Sequence, residues 1–414
     1  MPVHFFRSRG FYYGWVIIGT MFITLCLVLG LRFSFGIFYV AILNDTGWSR
    51  DDTALIFSIS MAVYAGTIIL SGALFDRFGP RRVFPVAVVL LSIGIWLCST
   101  IETIWNFYIY YGVLVGMAFS MLGFPTHMAV VPRWFIRRRG LAAAMALSGV
   151  GLGALTIPFF SEALIQVIGW RATYGYYSIG LLVILVPLTL FFHRDSPQAI
   201  GLFPDGASES PPEPRNSPVG GYTALGAMRT PVWWLLFIAV TMIGFVSMTM
   251  VVHQTRLSLD VGFSVAAATT FFALTGFSRA VGQLFWGWIS DRLNRSFIFV
   301  GVTILGIIGV GFLFAAMETP NIFFLSQFTL LFGFGFMGLS PVYASTVADI
   351  FPGRNLGKIL GMLDIGFGVG ASVGPWLAGW LFERHGHYRF TLYLLIAAML
   401  ITGITMILVQ KLKK

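Results

Sequence analysis

What most limits the folds open to this chain is a succession of long apolar runs, broken by short polar segments, over nearly all of its 414 residues. About 20 apolar residues wound as a helix cross the hydrocarbon core of a bilayer. Each run is too long and too uniformly apolar for a barrel strand, whose residues alternate between lipid and lumen. Backbone polar groups in hydrocarbon must be satisfied within the segment, which leaves the α-helix. Spans are predicted near 12–43, 54–75, 83–100, 105–131, 140–168, 173–192, 232–259, 264–289, 297–317, 322–348, 356–382 and 389–410. Charged residues make up 10% of the chain, against about 25% in a soluble domain, so little length is left for a soluble domain.

The net charge of +10 would suggest a nucleic-acid partner in a soluble protein. Here nineteen of the 26 Lys and Arg residues fall in breaks on the N-terminal side, five fall on the other side, and Arg32 and Arg279 lie inside spans. Topology accounts for that asymmetry, and it predicts a cell-membrane protein with both termini in the cytoplasm. No nucleic-acid partner is expected. Arg7 and Arg9 precede an apolar run that is too long for a signal peptide and reads as a retained first span. Cys26 and Cys98 sit within apolar runs and no Cys/His ligand spacing occurs, so neither a disulfide framework, a metal site nor a cofactor is expected.

The one long break, His193 to Thr230, contains SPQAIGLFPDGASESPPEPRNSPVGG and reads as a disordered cytoplasmic linker. It divides the chain into a six-span half over 1–192, a linker over 193–230 and a second six-span half over 231–414. The halves repeat. Gly72, Asp76 and Arg77 recur 215 positions later as Gly287, Asp291 and Arg292. Gly140, Gly149, Gly151, Gly153 and Pro158 recur 217 positions later as Gly357, Gly366, Gly368, Gly370 and Pro375. Each chain therefore holds both halves and is expected to function as a monomer. Two parallel repeats about an axis normal to the membrane are the architecture of one large class of secondary transporters.

The segment Gly72-Ala-Leu-Phe-Asp76-Arg77-Phe-Gly79-Pro-Arg81-Arg82, with its partial copy Gly287-Trp-Ile-Ser-Asp291-Arg292, resembles the cytoplasmic loop motif of the major facilitator superfamily. The resemblance implies an all-α membrane fold of twelve transmembrane helices in two pseudo-symmetric six-helix halves. It further implies that Gly72, Asp76, Arg77, Arg81, Arg82, Gly287, Asp291 and Arg292 act as a gating motif that bridges helices in one transport state. Further segments resemble the monocarboxylate porter and oxalate:formate antiporter branch. These are Tyr13-Gly14-Trp15, Phe35-Gly36-Ile37-Phe38, Asn44-Asp-Thr-Gly-Trp48-Ser49-Arg50, the stretch from Trp134 to Ala142, and Gly169-Trp170-Arg171. In that branch an arginine four residues before the eighth-span motif glycine meets the substrate carboxylate. Here that position is Gln283, and Arg279 lies one turn earlier. Oxalate-type members carry a lysine in span eleven, where this chain has Asp364.

Ionisable groups inside a span are costly and face a cavity or a partner. Arg279 offers a planar fork that matches a carboxylate, or it forms a structural pair with Asp364. Arg32 faces the cavity or snorkels outward. Asp364 exchanges a proton during transport, or serves as a fixed countercharge. His253, near the outer end of span seven, is a candidate for binding or for proton coupling. Tyr108, Tyr110, Tyr111 and Tyr343 could each donate a hydroxyl, or simply pack. Glu162 and His127 read as structural. The expected substrate-binding set is Arg279, Gln283, Arg32, His253 and Tyr343, with Asp364 and His253 for protons. The expected cargo is a small organic anion. Proton coupling, anion exchange and a non-carboxylate solute stay open. No catalytic residue is expected, since HExxH and Walker patterns are missing. A transporter-like sensor or scaffold is the alternative of another class.

Overall fold

A computed structural model describes residues 12–48, 50–207, 222–353 and 355–412. Of the positions used above, Arg7, Arg9 and Ser49 lie outside the described residues, as does the linker over 208–221. Among the described residues, ten helices are long and apolar enough to cross a membrane. One of them, Arg139–Phe192, is broken at Gly169, whose φ of +78° lies in the left-handed region that a side chain disfavours. It therefore supplies two spans. A further helix, Val265–Ser290, is equally long but less apolar, because it carries Arg279 and Gln283. The twelve are α1 (Gly14–Thr46), α2 (Arg50–Phe78), α3 (Pro80–Ser99), α4 (Ile104–Trp134), α5 (139–168), α6 (170–192), α7 (Pro231–Asp260), α8 (Val265–Ser290), α9 (Arg295–Glu318), α10 (Ile322–Ile350), α11 (Leu356–His385) and α12 (Arg389–Leu412).

Contacts divide the chain into two compact units. The first comprises 1–137, 145–221 and 353–361, and the second 138–144, 222–352 and 362–414. The first turns of α5 and α11 are set apart from the rest of their helices, 138–144 falling in the second unit and 353–361 in the first. Carboxylates cause this, as described below.

Within each unit the repeated glycines mark helix crossings. A Cβ at Gly149 or Gly153 of α5 would lie 2.3 and 2.1 Å from the Phe22 and Cys26 carbonyl oxygens of α1. The same crossing recurs between α11 and α7. There a Cβ at Gly366 would meet the Thr241 hydroxyl at 2.7 Å and the Phe237 ring at 3.0 Å, and one at Gly370 would meet the Thr241 carbonyl oxygen at 1.9 Å. Phe22 and Cys26 lie 215 positions before Phe237 and Thr241, so the partners repeat along with the glycines. A third pair escapes inspection of the sequence alone. Gly116 of α4 packs on the Ser60 carbonyl, and Gly333 of α10 on the Thr275 carbonyl, each with a hypothetical Cβ inside 3 Å. Small residues allow such close helix approach in a membrane, where dispersion and backbone contact replace the hydrophobic drive.

These contacts give a prediction with an internal control. Gly370→Ala is expected to destabilise the detergent-solubilised protein by about 2 kcal/mol, the scale of an overpacked core. Gly368→Ala, two residues away with nothing within 4 Å of its Cβ, is expected to be neutral or slightly stabilising. Equal melting temperatures for the two variants would contradict the crossing.

The linker reading is corrected in its first part. Residues 193–207 are folded, with tight helical turns at Gln198–Ile200 and Pro204–Gly206. A composition rich in Pro and Gly favours turns as readily as disorder. Here side-chain anchors decide between the two.

Candidate substrate site and helix-capping motif

Arg279 lies in the middle of α8, half-buried, with no hydrogen bond, ion pair or ring contact among the described residues. Gln283, one turn on, is 3% exposed and likewise has no protein partner among them. Residues four apart on a helix lie one above the other. Behind them the backbone is fixed, because a Cβ at Gly333 of α10 would lie 3.3 Å from the Arg279 backbone nitrogen. The scaffold is held tightly while the guanidinium and the carboxamide are left unclaimed. The expected alternative of an Arg279–Asp364 ion pair does not occur. A guanidinium removed from bulk water with no counter-ion is costly, and an anionic ligand relieves that cost through two parallel N–H···O bonds.

Arg32, in the second half of α1, has no carboxylate partner among the described residues. Its guanidinium touches the Met61 sulfur and lies 4.7 Å from the Tyr64 ring centroid and 5.3 Å from that of Phe119. Aromatic faces hold a cation without neutralising it. Tyr111, on a wide-turned π-helical stretch of α4 (Tyr108–Val115), has a buried hydroxyl with no partner among the described residues. Such stretches are rare and cluster at functional sites.

The other expected site residues are more fully engaged. The Tyr343 hydroxyl donates to the Leu236 carbonyl at 3.3 Å. Asp364 is buried on α11, close enough for its charge to act on that hydroxyl. His253 has both ring nitrogens occupied, Nε2 at 3.0 Å from the Pro375 carbonyl and Nδ1 at 3.1 Å from the Tyr388 hydroxyl. A carbonyl only accepts, so Nε2 carries the proton and Nδ1 accepts from tyrosine. In this arrangement His253 offers no nitrogen to a substrate. It ties α7 to α11 and to the start of α12.

The repeated motif works through backbone capping. Asp76, near the end of α2, accepts hydrogen bonds from the backbone N–H groups of Gly357 (3.1 Å) and Lys358 (2.8 Å) at the start of α11. Asp291, just past α8, accepts from Gly140 (2.7 Å) and Leu141 (3.0 Å) at the start of α5. The first N–H groups of a helix have no intrahelical acceptor, and the helix dipole favours a negative charge there. Gly72 abuts the Gly357 carbonyl and Gly287 abuts that of Gly140, so each carboxylate is brought in by a glycine-to-glycine crossing. These bonds set the first turns of α5 and α11 in the units that hold the two aspartates. Burial pushes the Asp291 carboxyl up from its ordinary value, against the downward pull of the Leu141 and Gly140 amides and of Arg295 and Arg139.

The motif arginines serve differently from the expectation that they bridge to the aspartates. Arg77 and Arg292 stack on Phe78 and Trp288, and the Arg81 and Arg82 side chains are exposed. The arginine near Asp76 is Arg133 of α4, at 3.9 Å. In the second unit, Arg139 and Arg295 both pair with Asp349 of α10. Sequence inspection singled out none of these four for a role, because no local pattern links residues so far apart. At the other end of the first unit, Asp45 accepts from the Trp170 indole N–H at 3.2 Å and from Arg171. Two segments that carry the family resemblance, their contacts spanning 125 and 126 positions of sequence, thus form one clasp.

The Major Facilitator Superfamily model matches residues 20–337 and 251–413. The chain belongs to the major facilitator superfamily. This major facilitator protein is 27% identical over 399 residues to monocarboxylate transporter 13 of Bos taurus, covering 94% of this chain and 88% of that one. It is 27% identical to the uncharacterized MFS-type transporter YhjX of Escherichia coli (strain K12), covering 89% and 87%. It is 22% identical to the oxalate:formate antiporter of Oxalobacter formigenes, covering 81% and 77%. The solved fucose:proton symporter of E. coli superposes with a TM-score of 0.72 at 12% identity, covering 97% of this chain and 99% of the symporter. That likeness supports the twelve-helix major facilitator fold alone. The protein is a multi-pass membrane protein of a transporter family whose relatives include monocarboxylate and oxalate carriers.

Proposed function

We propose that this protein is a secondary active transporter of a small organic anion of the monocarboxylate class, working by alternating access. The observation that carries the reading is the pair Arg279 and Gln283, one turn apart within a membrane helix, both without a protein partner among the described residues. A carboxylate fits this pair: two oxygens for the guanidinium fork, with an amide N–H₂ beside it. Arg32, with Tyr111 nearby, is a second cation available to the cargo or to its co-substrate. Asp364 beside Tyr343 is the group proposed to exchange a proton. His253 is proposed to gate, through its hold on Pro375 and Tyr388, rather than to bind. The monocarboxylate and oxalate carriers among the relatives support the same substrate class. We place the protein in the cell membrane with both termini cytoplasmic, on the strength of the Lys and Arg asymmetry.

The Asp76 and Asp291 caps are proposed to close in one transport state and open in the other, since helix N-termini bound by carboxylates from another segment can be released without breaking the helices. The test is uptake of labelled lactate, acetate, formate and oxalate into proteoliposomes, with and without an imposed proton gradient. Gradient-driven accumulation of one acid is the expected result. Accumulation only against an internal anion would make the protein an exchanger. No uptake of any acid by folded protein would overturn the carboxylate assignment.

A further inference from the structure

The folded segment between α6 and the described end at Ala207 grips two interhelical loops of its own unit. Near its start, Asp195 accepts from the Arg81 backbone N–H at 3.3 Å, in the first turn of α3 beside the α2–α3 loop. Gly79, at φ +76°, leaves the space that this carboxylate fills, since a Cβ there would lie 2.2 Å from it. Ten residues on, the Asp205 carboxylate accepts from the backbone N–H groups of Ile136 (2.9 Å) and Arg137 (2.7 Å), in the loop between α4 and α5. Asp205 is the one non-glycine residue with positive φ (57°) among the described residues. Asp tolerates that region better than most residues, though at some cost. The local fold is closed around it. The Tyr12 hydroxyl donates to the Trp134 carbonyl at 2.6 Å, its ring packs edge-on against Phe135, and Gly206 lies against that ring.

The two gripped loops carry the gating motif. The first follows Asp76 and Arg77. The second leads directly into Arg139, which pairs with Asp349, and into Gly140 and Leu141, which bind Asp291. The short run from Ile136 to Leu141 thus has one carboxylate on its first two amides and another on its last two. The strap also has its own footing, since the Tyr13 hydroxyl donates to the Phe192 carbonyl at 2.8 Å where α6 ends.

We infer that residues 193–207 are a positioning strap, in which Asp205 holds the α4–α5 loop and Asp195 the α2–α3 loop, so that the α5 N-terminus is presented in register to Asp291. Asp205 is a positioning residue and touches no cargo. The grips are unequal. The Asp205 bonds join two segments of the first unit and are expected to persist when the Asp291 cap opens, whereas the cap depends on the register that the strap sets. This role rests on the transport reading only for its functional consequence.

The test is amide hydrogen exchange on the full-length protein in nanodiscs, followed by uptake of labelled L-lactate. Asp205→Ala is expected to raise exchange at least tenfold at both Ile136–Arg137 and Gly140–Leu141. Asp291→Ala is expected to raise it at Gly140–Leu141 alone. Asp205→Asn keeps one carbonyl acceptor and tolerates the left-handed backbone, so it should show an intermediate rise. Uptake by Asp205→Ala is expected to fall about tenfold in maximal rate with KM unchanged, and to recover in part with Asn. Should Asp205→Ala deprotect only Ile136–Arg137, or nothing, the strap does not position the α5 N-terminus and the inference is overturned. Should the wild type take up no lactate while the exchange pattern holds, the substrate reading fails and the strap stands. Gly206→Ala serves as a second variant if Asp205→Ala does not fold, and no rise at Gly140–Leu141 in it would likewise overturn the inference.

Discussion

Arg279→Ala is expected to lower uptake of the transported anion by about 100-fold or more, while leaving the thermal stability of the protein unchanged or raised. The two signs together separate the substrate role from a structural one. Removing one partner of a desolvated charge pair costs about 2–5 kcal/mol, which for a bound carboxylate corresponds to a loss of that size. In the unliganded protein Arg279 makes no bond among the described residues, so its removal relieves desolvation and sacrifices nothing. An arginine that braces α8 would behave oppositely, with alanine lowering the melting temperature. Arg279→Lys keeps the charge but loses the fork, and is expected to retain about a tenth of the uptake. Wild-type uptake by Arg279→Ala, with all four acids tested, would remove the anion reading and leave only the superfamily assignment.

The second large effect is expected at the caps. Asp76→Ala and Asp291→Ala each leave two helix-terminal N–H groups without their acceptor. A lost buried acceptor costs about 1–3 kcal/mol. Each single variant should therefore transport at a fifth to a hundredth of the normal rate, roughly. The double variant should show a change in transport, not in helix content, by circular dichroism. Asp291 also predicts a pH dependence. Burial raises its carboxyl pKa in the capped arrangement, so the capped form holds the proton more tightly than an exposed aspartate does. The stabilisation is fully present below the ordinary carboxylate range and is lost as pH rises through the raised value. The protection factor at Leu141, corrected for intrinsic exchange, should accordingly grow on acidification toward the ordinary carboxylate range. Asp291→Asn should remove that dependence. A flat profile in the wild type would mean that the carboxylate is solvated in the capped form.

The glycine spacing carried more of the fold than any other feature of the chain. Gly149 and Gly153 recur as Gly366 and Gly370 because the same helix crossing is built twice, and a crossing at this distance excludes every larger side chain at the contact. Gly116 and Gly333 obey the same rule but lie among other glycines, so their partners Ser60 and Thr275 had to be seen in three dimensions. Arg279 and Gln283 were legible as candidate site residues, since polar groups in an apolar run stand out. That they have no partner among the described residues was not, because pairing with Asp364 depended on how α8 and α11 turn. His253 and Tyr343 carried the same chemical promise, and packing gave their polar atoms to Pro375, Tyr388 and Leu236 instead.

The membrane class, the number of spans, the internal repeat and the family could all be read along the chain. All of these follow from local hydropathy and from spacing along the chain, which the bilayer and the helix geometry convert directly into structure. Only the tertiary structure decided what the carboxylates do. Asp76 reaches across 281 positions and Asp291 across 151 to backbone N–H groups, which every residue but proline carries and no sequence pattern distinguishes. The same holds for Asp205, whose partners are two amides in a loop, and for the first part of the linker, where those bonds turned a composition suited to disorder into a folded strap.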